Sequence, residues 1–307
     1  MSQIRVAVLG GDAREIYIAE QLLAKGYQVA VFGAAASHAS RLAPAVSPQA
    51  AVAGANWIIC PSPGLGDGNR VYAPECPVPI ILNKALFTAS DAATGGLILG
   101  RATPGVTSAA KAAGVAVFEM KDDRALAVSN ATSVAEALVA LLVGKTNRVL
   151  PAHRLLVIGY GATGAAFTDA LLGLACAVRV TARRGEHLER ARQRGAQPVD
   201  YAARVQALAE SDIVVNTVPS PDAIPPSAFP QLRDAIVVDI ASPPGGIDHA
   251  AAGVSGIDLT WARGLAGARA PLSAGDAQLR FITDAIRGSD PGRDTAGASP
   301  ASPAERA

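Results

Sequence analysis

The chain has 307 residues, 27 Lys and Arg against 26 Asp and Glu, and an apolar half in which aromatics make up only 4% of the whole. A formal charge of +1 gives no broad field for nucleic acid or anionic lipid, so neither is an expected partner. Cys60, Cys76 and Cys176 are odd in number and lack C-x-x-C spacing, which argues against a disulfide framework or a metal site.

Mean hydropathy is +0.27, but the apolar runs look too short and too often broken to make the roughly 18-residue span of a membrane helix. Met1–Gly11 enters a strand-like run directly, without the pattern of a secretory leader. A reduced, cytoplasmic protein is expected.

In chain order, short Val/Ile/Leu runs predict strands at Arg5–Leu9, Gln28–Phe32, Trp57–Cys60, Pro79–Leu82 and Val115–Phe118. A second series follows at Leu155–Ile158, Val178–Ala182, Ile213–Asn216 and Ile236–Asp239. These runs are apolar on both faces, as buried parallel strands are, and alternate with alanine-rich helical stretches. The pattern predicts an α/β fold of two doubly wound, Rossmann-like lobes with mostly parallel sheets, joined by a long helix at Asn130–Val143. The expected division is a substrate-side lobe at 1–129, completed by a last helix at 274–287, a dinucleotide-binding lobe at 130–273, and a disordered tail at 288–307.

The first lobe opens on Gly10-Gly11-Asp12-Ala13-Arg14, where Asp12 and Glu15 occupy the places of a dinucleotide loop's second and third glycines. A carboxylate there repels pyrophosphate, so this turn is expected to face substrate. Arg14 then serves either as an anion clamp or as a surface partner of Asp12. The loop Pro61–Asn69, with Ser62 and several glycines, suits a carboxylate; Lys84 is a further candidate cation.

The second lobe carries the sharper signal. Strand Leu155–Ile158 runs into a complete G-x-G-x-x-G, Gly159, Tyr160, Gly161, Ala162, Thr163 and Gly164, followed at once by a helical stretch. The glycines allow a tight turn, a close pyrophosphate and close helix packing, while the helix N-terminus offers free N–H groups. At the end of the next strand an NAD site usually places an acid, but Arg183 and Arg184 stand here. Guanidinium groups suit a 2′-phosphate, so NADP is the expected cofactor. Asn216-Thr217-Val218-Pro219 and Asp239-Ile240-Ala241-Ser242 end later strands, where the nicotinamide end should lie. The chain's histidines, His38, His153, His187 and His249, show no recognisable acid–base pair in sequence, which disfavours simple hydroxy-acid oxidation.

These motifs, with Asp122-Asp123, Asn130, Glu136, Gly264-Leu265-x-Gly267, Ala270-Pro271 and Ala274-Gly275, stand in an order and spacing that resembles the A-subunit of dipicolinate synthase. The resemblance implies NADP-dependent oxidation of dihydrodipicolinate, derived from hydroxytetrahydrodipicolinate, to dipicolinate. It also implies that the partner in a larger oligomer is dipicolinate synthase's flavoprotein-like B-subunit, in the mother-cell cytoplasm of a spore-forming bacterium. The flat dianionic substrate calls for donors on opposite walls: Arg14 and Ser62 against Asn130 and Ser242. Glu136 is the candidate proton acceptor, with a structural helix role as its alternative. The family's Ala-Pro-Lys-Thr-Ala-Gly is here Ala270-Pro271-Leu272-Ser273-Ala274-Gly275, which lacks the lysine, and Arg269 is its candidate replacement. Two other readings are a shikimate-dehydrogenase-like enzyme and a non-catalytic NADP-binding scaffold.

Overall fold

The computed structural model describes residues 3–34, 42, 44–242 and 244–288. The expected tail falls almost entirely outside them. The first lobe contains β1 (Arg5–Leu9), α1 (Ala13–Ala24), β2 (Gln28–Phe32), α2 (Pro48–Val52), β3 (Trp57–Ile59), the two-residue strands β4 (Leu65–Gly66) and β5 (Arg70–Val71), α3 (Lys84–Thr88), β6 (Gly96–Leu99), α4 (Pro104–Ala112) and β7 (Val117–Glu119). Its sheet has the parallel order β2-β1-β3-β6-β7.

Helix α5 (Arg124–Lys145) leads into the second lobe, which contains β8 (Leu155–Ile158), α6 (Ala162–Gly173), β9 (Val178–Ala182), α7 (Gly185–Gln193), β10 (Gln197–Asp200), α8 (Arg204–Ala209), β11 (Ile213–Asn216), β12 (Ile236–Asp239), α9 (His249–Val254) and β13 (Asp258–Trp261). The second sheet is parallel too, in the order β10-β9-β8-β11-β12-β13. Two doubly wound Rossmann-like lobes are therefore the architecture, as the strand–helix alternation implied. In each lobe the chain order reverses beside one strand, β1 or β8, and the crevice beyond its carboxyl end is where such sheets bind ligands.

Short α10 (Leu265–Arg269) and long α11 (Pro271–Gly288) close the chain. Ala277, Leu279, Ile282 and Ile286 of α11 enter the apolar core beneath β1 with Val6, Val8 and Ile18, so the last helix packs in the first lobe. Covering four apolar side chains there stabilises the contact by about 1.5–3 kcal/mol for each large one fully buried.

Several sequence expectations are corrected. Pro79–Leu82 is not a strand: only Ile81 makes an isolated bridge, to Arg70. The interior strand β6 and the flanking strands β10 and β13 were missed. Helix α5 is longer than expected and, by length and composition alone, apolar enough to cross a membrane; here Ala135, Leu138 and Leu142 pack it into the second lobe's core. All three cysteines are free thiols.

Candidate functional site

The residues singled out in sequence fall into three groups and a few isolated positions. The first group caps α1. Asp12 Oδ1 accepts from the Arg14 backbone N–H, and Glu15 Oε2 accepts from the Asp12 N–H at 2.8 Å, so the helix N-terminus is closed by its own carboxylates. The Arg14 guanidinium grips Asp12 through Nε at 2.8 Å and Nη2 at 2.7 Å, and Nη1 donates to Ser62 Oγ at 3.2 Å. Arg14 is only 2% exposed. Pairing with Asp12 is thus the observed alternative, but as a buried pair rather than a surface one, and the guanidinium is not a free anion clamp.

Gln278 Nε2 reaches Ser62 Oγ from α11 at 3.4 Å. Gly267 of α10 sits so close that an added Cβ would collide with the Asp12 carboxylate and meet Arg14 Nε at 2.6 Å. The cluster therefore fastens the chain's last two helices to the first lobe. Burial opposes ionisation of Asp12, yet the Arg14 guanidinium outweighs it and holds the carboxyl below its usual range. Burial pushes Glu15 up to about 7, with the neighbouring Asp12 charge adding to the shift against the pull of Arg14. Glu15 Oε1 is buried without a hydrogen-bond partner.

The second group surrounds the glycine loop. Gly159 takes φ +96°, and a Cβ on it would meet Val218 Cγ2 at 2.7 Å and collide with Thr217 Oγ1. A Cβ on Gly164 would strike the Gly159 carbonyl, which is the close packing the third glycine permits. Gly161 differs: among the described residues, nothing lies within 4 Å of the place its Cβ would take. Gly161 is also the N-cap of α6, and no side chain caps that helix. The orphan N–H groups of the first turn, beginning at Ala162 and Thr163, thus open onto a cleft of about 380 Å³.

Tyr160, Arg183, Arg184, His187, Tyr201 and Pro219 also line that cleft. Arg183 lies 5.3 Å from the Tyr201 ring centroid and donates to Ser220 Oγ at 3.1 Å, and Arg204 covers the same ring at 4.3 Å. Arg184 pairs with Glu186 at 3.2 Å, but both side chains are about two-thirds exposed, 67% and 65%. Such a pair is weak and yields readily to a stronger anion. Burial and the Arg184 charge hold His187 below the usual imidazole range. Tyr201 and Arg204 were not singled out in sequence; their signal is that Tyr201 follows β10, a strand that polarity and Pro198 concealed.

The third group stands at the carboxyl ends of β11, β12 and β13. Asn216 and Asp239 are register partners and both fully buried. Asn216 shapes the Asn216–Pro219 turn, donating to Val218 O at 3.0 Å and accepting from the Val218 N–H at 3.2 Å. Thr217 Oγ1 donates to Ile158 O at 2.9 Å. Asp239 accepts from Asn216 Nδ2 at 2.8 Å, Ala241 N at 3.0 Å and Gly246 N at 2.8 Å. Asn216 and Asp239 therefore build the loops from behind, rather than presenting side chains to the cleft.

His249 Nε2 lies 3.0 Å from Asp239 Oδ2, and its ring stacks on Trp261 at a centroid distance of 4.1 Å. The expectation that no histidine belongs to an acid–base pair is therefore overturned. The pair joins the end of a strand to the start of a short helix, and between them the Gly246 N–H donates to the same carboxylate. An acid and a histidine ten residues apart, Asp239 and His249, were the available signal. The missing pair had been a ground for setting hydroxy-acid oxidation aside, and that ground no longer stands.

Among the described residues, the side chains of the remaining candidates make no hydrogen bond to these groups. Glu136 is exposed on α5, so the buried proton acceptor expected there is not what the fold provides. Asn130 is half-buried on the same helix, and Ser242 is exposed after β12. Lys84 opens α3 and Arg269 ends α10, both exposed, and neither hydrogen-bonds the Asp12–Arg14–Ser62 cluster.

Comparison with known proteins gives this fold a family context. Residues 5–121 match the family model described as the N-terminal domain of the dipicolinate synthase A-subunit. The dipicolinate synthase A-subunit of Bacillus subtilis (strain 168) is 29% identical over 170 residues, which are 55% of this chain and 56% of that protein. The aligned stretch thus spans little more than half the curated relative. The crystal structure of the dipicolinate synthase A-subunit from Bacillus halodurans superposes with a TM-score of 0.77 at 20% identity, covering 92% of this chain and 97% of that one. A transhydrogenase from Sinorhizobium meliloti shares the fold, with a TM-score of 0.64 at 19% identity, covering 94% and 96% of the two chains.

Proposed function

We propose, on the premise that the chain belongs with the dipicolinate synthase A-subunits it resembles, that it is an NADP-dependent oxidoreductase. Its substrate is dihydrodipicolinate, derived from 4-hydroxy-tetrahydrodipicolinate, and its product is dipicolinate. The observation that carries this reading is the uncapped N-terminus of α6 beneath the open face of Gly161, with Arg183 and Arg184 at the end of β9. The donor set fits a nicotinamide dinucleotide with a 2′-phosphate. Free N–H groups and the helix dipole suit its pyrophosphate, and β9 ends without the acid that would repel the extra phosphate.

When bound, the nicotinamide supplies a hydride acceptor. The chain's own residues do the rest. The glycine loop and the first turn of α6 bind the pyrophosphate. Arg183 and Arg184 hold the 2′-phosphate, each charge-assisted bond contributing about 1.5–3 kcal/mol. Thr217, Val218 and Pro219 form the wall against which the cofactor lies. Oxidation to an aromatic ring is strongly downhill, so the main demand on the protein is to hold a flat dicarboxylate against the nicotinamide.

In this reading the chain works with the flavoprotein-like B-subunit in a sporulating mother cell's cytoplasm. The test mixes the purified chain, with and without the B-subunit, with enzymatically generated hydroxytetrahydrodipicolinate and NADP⁺, and follows NADPH and dipicolinate together. The expected result is NADPH formed by this chain alone in step with dipicolinate. Cofactor binding without turnover would instead make it a scaffold, and turnover of shikimate alone would make it a different carboxylate reductase.

A further inference from the structure

The Asp239–His249 pair has no part in the cofactor site as described above, yet its geometry is that of an oriented base. The Asp239 carboxylate already receives three donors: Asn216 Nδ2 and the backbone N–H groups of Ala241 and Gly246. An ionised carboxylate only accepts, so its contact with His249 Nε2 at 3.0 Å is a hydrogen bond with the proton on Nε2. Whenever the ring is neutral, this hydrogen bond selects the tautomer that leaves the lone pair on Nδ1. Nδ1 has no hydrogen-bond partner among the described residues.

The ring is also fixed in orientation. Trp261 stacks on it with 26° between the planes, and the Trp261 indole is itself anchored to Ala241 O at 3.0 Å. His249 nevertheless keeps 22% of its side chain exposed beside a carboxylate that is wholly buried. Its two partners are the last residues of β12 and β13, so the imidazole stands at the carboxyl edge of the sheet. Asn216, bonded to the same carboxylate, begins the turn whose Thr217 abuts Gly159 of the cofactor loop.

We propose that His249 is the proton acceptor of the reaction, using Nδ1, and that Asp239 is its positioning residue. This rests on the reading of the chain as an NADP-dependent oxidant of a dihydropyridine dicarboxylate. In the balance, one ring hydrogen leaves the substrate with its bonding pair to oxidised nicotinamide. A second hydrogen leaves as a proton to Nδ1, and the electrons of its broken bond become the new double bond of the aromatic ring. Asp239 stabilises the imidazolium until water takes the proton.

The test uses the full-length protein and the variants His249→Ala and His249→Phe. NADP⁺ affinity by titration calorimetry is expected to stay within about twofold, while turnover falls by about a hundredfold or more, as for loss of a general base. Added imidazole is expected to restore part of the rate to His249→Ala, where it has a space to enter, and none to His249→Phe. Independently of turnover, nitrogen-15 NMR of the free protein should show His249 protonated at Nε2 and bare at Nδ1, with Nδ1 shifting on addition of pyridine-2,6-dicarboxylate. Undiminished turnover in His249→Ala, or a loss that imidazole cannot restore together with an Nδ1 signal indifferent to the dicarboxylate, overturns the assignment. If the wild-type protein makes no NADPH at all, the oxidation reading falls, and this one falls with it.

Discussion

The two strand–turn–helix units that open the lobes make an instructive pair. Both run from a buried parallel strand through a positive-φ glycine (Gly10 at 71°, Gly159 at 96°) into a twelve-residue helix. In the first, Asp12 and Glu15 reach back to the helix N-terminus and close it in a capping box. In the second, Gly161 and Gly164 stand at the matching points, and among the described residues no side chain caps the helix. A helix N-terminus needs acceptors for its free N–H groups, and its dipole favours negative ones. Where the chain supplies them the turn becomes structure, and where it withholds them the N–H groups are left open, which is the basis of the proposed cofactor site.

The largest expected effect tests the first turn. Arg14→Ala leaves the half-buried Asp12 carboxylate without its partner, and chemical denaturation should show a loss of about 3 kcal/mol or more. Undisturbed stability, with loss of dicarboxylate binding instead, would make this turn a ligand site like the other. Next in size is Gly161→Asp, which copies the first turn's acid into the second. Because the space over Gly161 is open, thermal stability should hold while NADP⁺ affinity by calorimetry drops about a hundredfold, near 3 kcal/mol.

Glu15 adds a pH dependence that the second turn lacks. Its folded-state pKa, pushed up to about 7 from 4.5, means that the folded state holds this proton more tightly than the unfolded chain. Stability is therefore fully present below about pH 4.5 and is lost as pH rises towards 7, by up to about 3 kcal/mol. Glu15→Gln should remove that slope, so its melting temperature should match the wild type near pH 4.5 and exceed it at pH 8. A parallel pair of pH curves would show that the buried carboxyl is not a source of the slope. The smallest effect belongs to Arg183→Ala combined with Arg184→Ala, which should lower the preference for NADP⁺ over NAD⁺ by about ten- to a hundredfold in competitive titration. An unchanged ratio would remove the 2′-phosphate from the account.

Much of this was legible in the residues. Strands apolar on both faces announce a covered parallel sheet, and three glycines at fixed spacing after such a strand announce the open turn. β6 was less visible because Gly95 and Gly96 mask it. They are required where this strand crosses Trp57 and Phe118, since a Cβ on Gly96 would meet the Phe118 ring at 2.8 Å. β10 hid behind Pro198 and its polar neighbours, as flanking strands often do, and with it went Tyr201.

What the sequence determined by itself is therefore local: which segments alternate as strand and helix, which turn lacks side chains, and which residues carry charge. Whether a charge is spent or free was decided only by the tertiary structure. Arg14 is consumed by a carboxylate two residues away, Glu136 looks outward from α5, and His249 gains its partner across a turn and its stacking face from another strand. Periodicity and spacing report the chain's neighbours along one dimension. The state of an ionisable group depends on the burial and the donors that converge on it from three.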